Sequence, residues 1–195
     1  EGGSSKDFYH TKMLMYKDPN TVHQLLQKLE DNMVAYGLYQ IEQGAQVLQV
    51  FDSWAATLAP ADYDTFALPY QRRVIARLKA AHPEVPIILY IAKSGALLEK
   101  MGTSGADIVS LDWTSELGQA RERMQAAGGR PDLVLQGNLD PLLLLSDRAT
   151  IQQRTEDILR QSRGRRHVMN LGHGIDPRTP EENVDIFVDT VKKFK

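Results

Sequence analysis

Glycine on both sides of His173 lets the chain turn sharply and lets a ligand come close. In the string Asn170-Leu171-Gly172-His173-Gly174, the imidazole can donate a hydrogen bond to a carboxylate or move a proton near neutral pH, or it can simply satisfy a local carbonyl. A second string, Phe51-Asp52-Ser53-Trp54, pairs a hydroxyl able to hold a carboxylate with an aromatic ring able to cover a planar apolar group. Asp52 and Ser53 can equally cap the element that follows. Ser53 is not read as a nucleophile, since no Gly-x-Ser-x-Gly elbow surrounds it. Asp112 and Asp140 can form an acid–base pair, but tight-turn roles fit them better, with Asn138 beside them and Pro141 fixing the chain direction. The five histidines have no metal-ligand spacing, and without cysteine no thiolate site exists, so no metal is expected.

These strings follow short apolar runs: Val47 to Phe51, Ile87 to Ile91, Ile108 to Leu111, Leu133 to Gln136 and His167 to Leu171. Runs of this kind suit strands buried on both faces of a parallel sheet. Amphipathic helices separate them. Asp18-Pro19 opens one, whose Val22, Leu25, Leu26, Leu29, Met33 and Tyr36 form one apolar face ending near Gly44. A second runs from about residue 61 to 81, and the last opens on a capping box at Thr179-Pro180-Glu181-Glu182. Gly164-Arg165-Arg166 is read as a loop, and the cluster Arg163, Arg165 and Arg166 as solvated.

Strand–helix alternation means an α/β fold with a parallel sheet. Polar residues gather after every strand, which favours a TIM (β/α)8 barrel over an open doubly wound sheet with one switch point. No dinucleotide fingerprint or Walker loop speaks for the latter. A barrel needs eight strands and about 250 residues. The 195 residues supply the last five βα units and form a single domain, 1–195, with no internal boundary. A formal charge of −2 excludes nucleic acid and anionic membrane as main partners. No apolar run reaches the roughly 20 residues of a membrane span.

In order and approximate spacing, six strings resemble the uroporphyrinogen decarboxylase family. They are Glu1-Gly2-Gly3-Ser4-Ser5-Lys6, Gln49-Val50-Phe51-Asp52-Ser53-Trp54, Ala67-Leu68-Pro69-Tyr70, Leu111-Asp112-Trp113-Thr114, Gln136-Gly137-Asn138-Leu139-Asp140-Pro141 and Asn170-Leu171-Gly172-His173-Gly174-Ile175. The resemblance implies a homodimeric (β/α)8 barrel of haem and chlorophyll biosynthesis, soluble in cytoplasm or plastid stroma. Such an enzyme removes the four acetate carboxyl groups of uroporphyrinogen III without metal or organic cofactor. It implies substrate-binding roles for Ser53, His173 and Phe51. The family's pyrrole-facing aspartate, its Arg-Gln-Ala-Gly-Arg motif and a tyrosine are expected upstream of Glu1, so no catalytic residue is assigned within the chain. Two other readings stand beside this one: a truncated, non-catalytic tetrapyrrole-binding or assembly product, and a related barrel methyltransferase. The methyltransferases use zinc held by His and Cys, which this composition does not provide.

Overall fold

A computed structural model describes the chain except residues 4, 6, 163–165 and 195. Part of the first family string and most of the Arg163–Arg166 loop therefore lie outside the described residues. Five strands, β1 (Leu48–Phe51), β2 (Ile87–Tyr90), β3 (Ile108–Ser110), β4 (Val134–Gln136) and β5 (His167–Val168), form one sheet in sequence order. Every neighbouring pair is parallel, with Val50 opposite Leu89, Leu89 opposite Val109 and Val109 opposite Leu135. An isolated bridge, Leu139 to Leu171, extends the β4–β5 pairing. β2, β3 and β5 stop short of their apolar runs at the carboxyl end, where the chain turns into a loop, whereas β1 and β4 begin one residue into theirs.

Parallel pairing requires a crossover between strands, and helices supply it. They are α1 (Tyr9–Lys17), α2 (Pro19–Glu42), α3 (Pro60–Phe66), α4 (Leu68–Ala81), α5 (Leu98–Gly102), α6 (Leu117–Ala126), α7 (Arg148–Ser162) and α8 (Glu181–Lys193). Ile87, Leu89, Val109 and Leu135 point from the sheet into a core shared with Ile75, Leu78, Met101 and Met124 of the helices. Each such side chain, fully buried, contributes about 1.5–3 kcal/mol. A smaller cluster of Leu139, Leu144, Ile151, Ile186 and Phe187, with Met169 and Leu171 packed against it, ties α7 and α8 to the chain just beyond β4 and β5.

Local signals explain most boundaries. The Asp18 carboxylate accepts from the Thr21 N–H at 3.2 Å, capping α2, and Pro19 fills the first turn. Gly44, at φ +102°, lets the chain leave the helix. Two expectations need correction. Residues 61–81 are two helices, broken at Ala67, because Pro69 lacks the N–H that would continue one helix through it. The Thr179 capping box does not form: α8 starts at Glu181 behind Pro180, and the Thr179 hydroxyl is buried without a partner.

The largest correction concerns α2. Its expected apolar face splits in two. Val22, Val34, Gly37 and Ile41 are buried, and Gly37 lies so close to Leu78 that a Cβ there would sit 2.8 Å from the leucine Cδ2. Glu30, also buried, joins the same face by bonding Arg73 at 2.7 Å and Arg77 at 3.1 Å on α4. Leu25, Leu29, Met33 and Tyr36 are instead 47–57% exposed. Periodicity identified a surface to be covered but not whether anything covers it.

Among the described residues the sheet ends in two unpaired edges, β1 and β5. Open edges of this kind template association. The isolated chain is accordingly expected to self-associate and to bind a hydrophobic dye. A monodisperse monomer with cooperative thermal unfolding in light scattering and calorimetry would contradict that expectation.

Candidate active site at the carboxyl ends of the strands

Side chains alternate across the strands, so those at positions 49, 51, 88, 90, 108, 110, 134 and 136 share the face away from the helices. The middle of this face is polar. Gln136 donates from Nε2 to Gln49 Oε1 at 3.1 Å and to Ser110 Oγ at 3.0 Å, joining three strands. Above this layer the strand ends present aromatic rings.

Tyr90, at the end of β2, holds that aromatic group together. Its ring meets Phe51 edge-on at 5.8 Å and His173 edge-on at 6.1 Å between centroids. Its hydroxyl donates to the Gly172 carbonyl at 2.9 Å, pinning the glycine–histidine loop. Burial and the nearby Asp112 carboxylate push the Tyr90 phenol up to about 12, so it stays a neutral donor. Tyr90 carried no signal of its own in the sequence, where it lay within the apolar run Ile87 to Ile91. The available sign was an aromatic residue near the end of that run.

His173 is exposed, and its Nδ1 accepts from the Gly174 N–H at 2.7 Å. The neutral ring therefore carries its proton on Nε2, which is free to donate outward. Phe51 is 68% exposed at the end of β1, and half-buried Ser53 follows two residues later in the turn. The structure thus joins Phe51 and His173 through Tyr90 and places Ser53 on the same rim. Exposed Trp54 and Trp113 extend the apolar rim.

The aspartates divide as turn chemistry suggested. Buried Asp112 accepts from the Lys93 N–H and, at 2.8 Å, from the Thr114 N–H, tying the loop after β2 to the loop after β3. Asn138 extends the tie by donating to the carbonyls of Asp112 at 2.8 Å and Ser115 at 2.6 Å. Asp140 accepts from the Leu142 N–H at 3.0 Å and only starts a helical turn. Among the described residues no hydrogen bond joins Asp112 to Asp140. Asp52 turns toward α4, where Gln71 Nε2 donates to it at 2.7 Å and Tyr63 donates to Gln71 at 2.5 Å. Burial raises the Asp52 carboxyl, partly offset by the Gln71 bond. Among the described residues no group of three or more His, Asp or Glu side chains is arranged to hold a metal.

Backbone packing decides where His173 sits. A Cβ on Gly172 would stand 2.7 Å from the Trp113 nitrogen and 3.0 Å from the Asp112 Cα, both backbone atoms. Gly172→Ala is therefore expected to lower stability by about 1–3 kcal/mol, whereas Gly174→Ala, whose methyl meets nothing within 4 Å, is neutral; urea midpoints of both variants check this. Asp52→Asn keeps an acceptor for Gln71 and removes a buried ionisation. Because the folded value lies above the unfolded one, Asp52 supports the fold when protonated and loses that support as pH rises. The variant should equal or exceed the parent in urea midpoint at pH 7, with the gain shrinking toward pH 4.

A model of the uroporphyrinogen decarboxylase (URO-D) family matches residues 1–194. Curated relatives named uroporphyrinogen decarboxylase include one from Synechococcus sp., 50% identical over 193 residues, covering 99% of this chain and 54% of its own length. Those of Gloeobacter violaceus and Nostoc sp. are 47% and 48% identical over 194 residues, each covering 100% of this chain and 54% of the relative. The chain spans about half the length of the curated relatives it matches. The family's fold is a TIM barrel, and the five parallel strands with their helices are part of one. On the strength of that match along 194 of its 195 residues, the chain belongs to the uroporphyrinogen decarboxylase family.

Proposed function

We propose that this chain forms the carboxyl-terminal part of a uroporphyrinogen decarboxylase acting in haem or chlorophyll biosynthesis. The observation that carries the proposal is the Phe51–Tyr90–His173 group at the strand ends. It offers apolar ring faces beside an exposed imidazole N–H, which suits a macrocycle edged with carboxylates. In each of four steps an acetate arm takes up one proton, loses CO2 and becomes a methyl group, converting uroporphyrinogen III to coproporphyrinogen III. Protonating the pyrrole carbon next to the one that bears the arm leaves a conjugated iminium and makes the ring an electron sink. The C–C bond then breaks with its electron pair moving into the ring, a second proton completes the methyl group, and the ring releases the first. No cofactor is required for that sequence.

Within this chain the roles are binding roles. Phe51 covers the ring, Ser53 donates its hydroxyl to a substrate carboxylate, and His173 donates from Nε2 to another. The pyrrole-facing aspartate and the arginines of the family belong to the half of the barrel that completes this one. The working enzyme is a homodimer of the cytoplasm or plastid stroma. Among the described residues no helix is long and apolar enough to cross a membrane.

The test joins this chain to the complementary half of the Synechococcus relative and incubates the product anaerobically with uroporphyrinogen III. Coproporphyrinogen III with CO2 release is expected, and no product from a folded hybrid would refute the proposal. Loss of one charge-assisted hydrogen bond amounts to about 1.5–3 kcal/mol, so His173→Ala and Ser53→Ala should each lower kcat/KM about 10- to 100-fold. The loss should fall mainly on KM, read from initial rates.

A further inference from the structure

The loops that leave the carboxyl ends of the strands for the next helix hold three basic side chains: Lys93 after β2, and His173 and Arg178 after β5. Arg178 is committed, since its guanidinium donates to both carboxylate oxygens of Asp176 at 2.8 Å. Lys93 is exposed and uncommitted. Among the described residues, the lysines held in ion pairs are Lys79, Lys100 and Lys193.

The backbone at Lys93 is unusual. It lies at φ +56°, ψ +34°, in the left-handed region where this chain otherwise places Gly44 and Gly105. A Cβ there crowds the backbone, so glycine would take this conformation at less cost. What holds it is the buried Asp112 carboxylate, which accepts from the Lys93 N–H. That bond needs only the backbone. A lysine kept where the fold favours glycine, with its ammonium left in solvent, points to a use for the side chain.

The same aspartate puts Lys93 beside the histidine loop. A Cβ on Gly172 would stand 3.0 Å from the Asp112 Cα, and Tyr90, at the end of β2, donates to the Gly172 carbonyl at 2.9 Å. The β2 loop and the His173 loop are thus fastened together through Asp112 and through Tyr90. A neutral imidazole offers a carboxylate a hydrogen bond but no charge. With Arg178 occupied by Asp176, Lys93 supplies the free positive charge on this part of the rim, carried on a flexible four-carbon stem.

We infer that Lys93 is a further substrate-binding residue, whose ammonium pairs with a carboxylate of the macrocycle next to the one taken by His173. This rests on the decarboxylase reading of the site.

The test uses the hybrid with the complementary half of the Synechococcus relative and needs no turnover. Its affinity for uroporphyrin III, the oxidised form of the substrate, is read by fluorescence titration. Lys93→Gln should weaken binding about fivefold or more, Lys93→Arg should retain it, and Lys28→Gln on α2 should leave it unchanged. The affinity of the parent should fall more steeply with salt than that of Lys93→Gln. Lys93→Gly should bind as weakly as Lys93→Gln yet melt at the same temperature as the parent or higher, a combination that a purely structural lysine would not give. Coproporphyrin III, which keeps the propionates and lacks the acetates, identifies the partner. An equal loss with both porphyrins assigns a propionate, and a loss confined to uroporphyrin III assigns an acetate. The inference is overturned if the folded parent hybrid does not bind uroporphyrin III, if Lys93→Gln binds it as tightly as the parent, if Lys93→Arg binds no better than Lys93→Gln, or if Lys93→Gly lowers the melting temperature. A hybrid that binds through Lys93 but releases no CO2 from uroporphyrinogen III would instead refute the decarboxylase reading alone.

Discussion

Parallel pairing is the constraint on which the rest of the molecule depends. Each strand can pair with the next only after a crossover has carried the chain back to the starting side. All five strands therefore end at one rim, and helices must cover one face. Core and site follow from the same geometry. Residues on one set of alternate positions, such as Leu89 and Val109, enter the core beneath the helices. Those on the other set, such as Tyr90, Ser110 and Gln136, face the interior of the barrel arc.

The two ends of the sheet use charge differently. At the amino end, Asp107 bonds the Ile87 N–H at 2.9 Å and pairs with Lys79 at 3.0 Å and Arg130 at 3.3 Å, fastening strands and helices. At the carboxyl end the buried aspartate, Asp112, bonds backbone N–H groups and so fixes loops. The loops interlock: Asp112 holds the β2 loop, Asn138 holds the β3 loop, and Gly172 packs against the backbone of Asp112 and Trp113. His173 and Phe51 thus stand at the rim on a rigid base, the requirement for a binding site that must hold its geometry.

Much of this was legible residue by residue. Asp18-Pro19 announced α2, the five apolar runs announced five parallel strands, and glycines beside His173 announced a tight loop at a strand end. The turn roles of Asp112 and Asp140 were also legible, since short polar side chains bond nearby backbone. Tyr90 was not, because its partners lie 82 residues away at Gly172 and on β1 at Phe51. The Gln49–Gln136–Ser110 layer was hidden for the same reason. Nor did the sequence show that Gln71 and Tyr63 draw Asp52 away from the rim toward α4.

Local pattern and order determined the class of the fold, its strand count and the strings that belong to one family. Those properties follow from periodicity and short-range turn chemistry, which a linear string records in full. Which half of an apolar pattern finds a partner was decided only in three dimensions. Val34 and Met33 are neighbours in sequence with equal claim to burial, yet one sits beneath α4 and the other faces outward. Burial depends on what the tertiary structure brings alongside, and that is a property of the assembled sheet rather than of the helix.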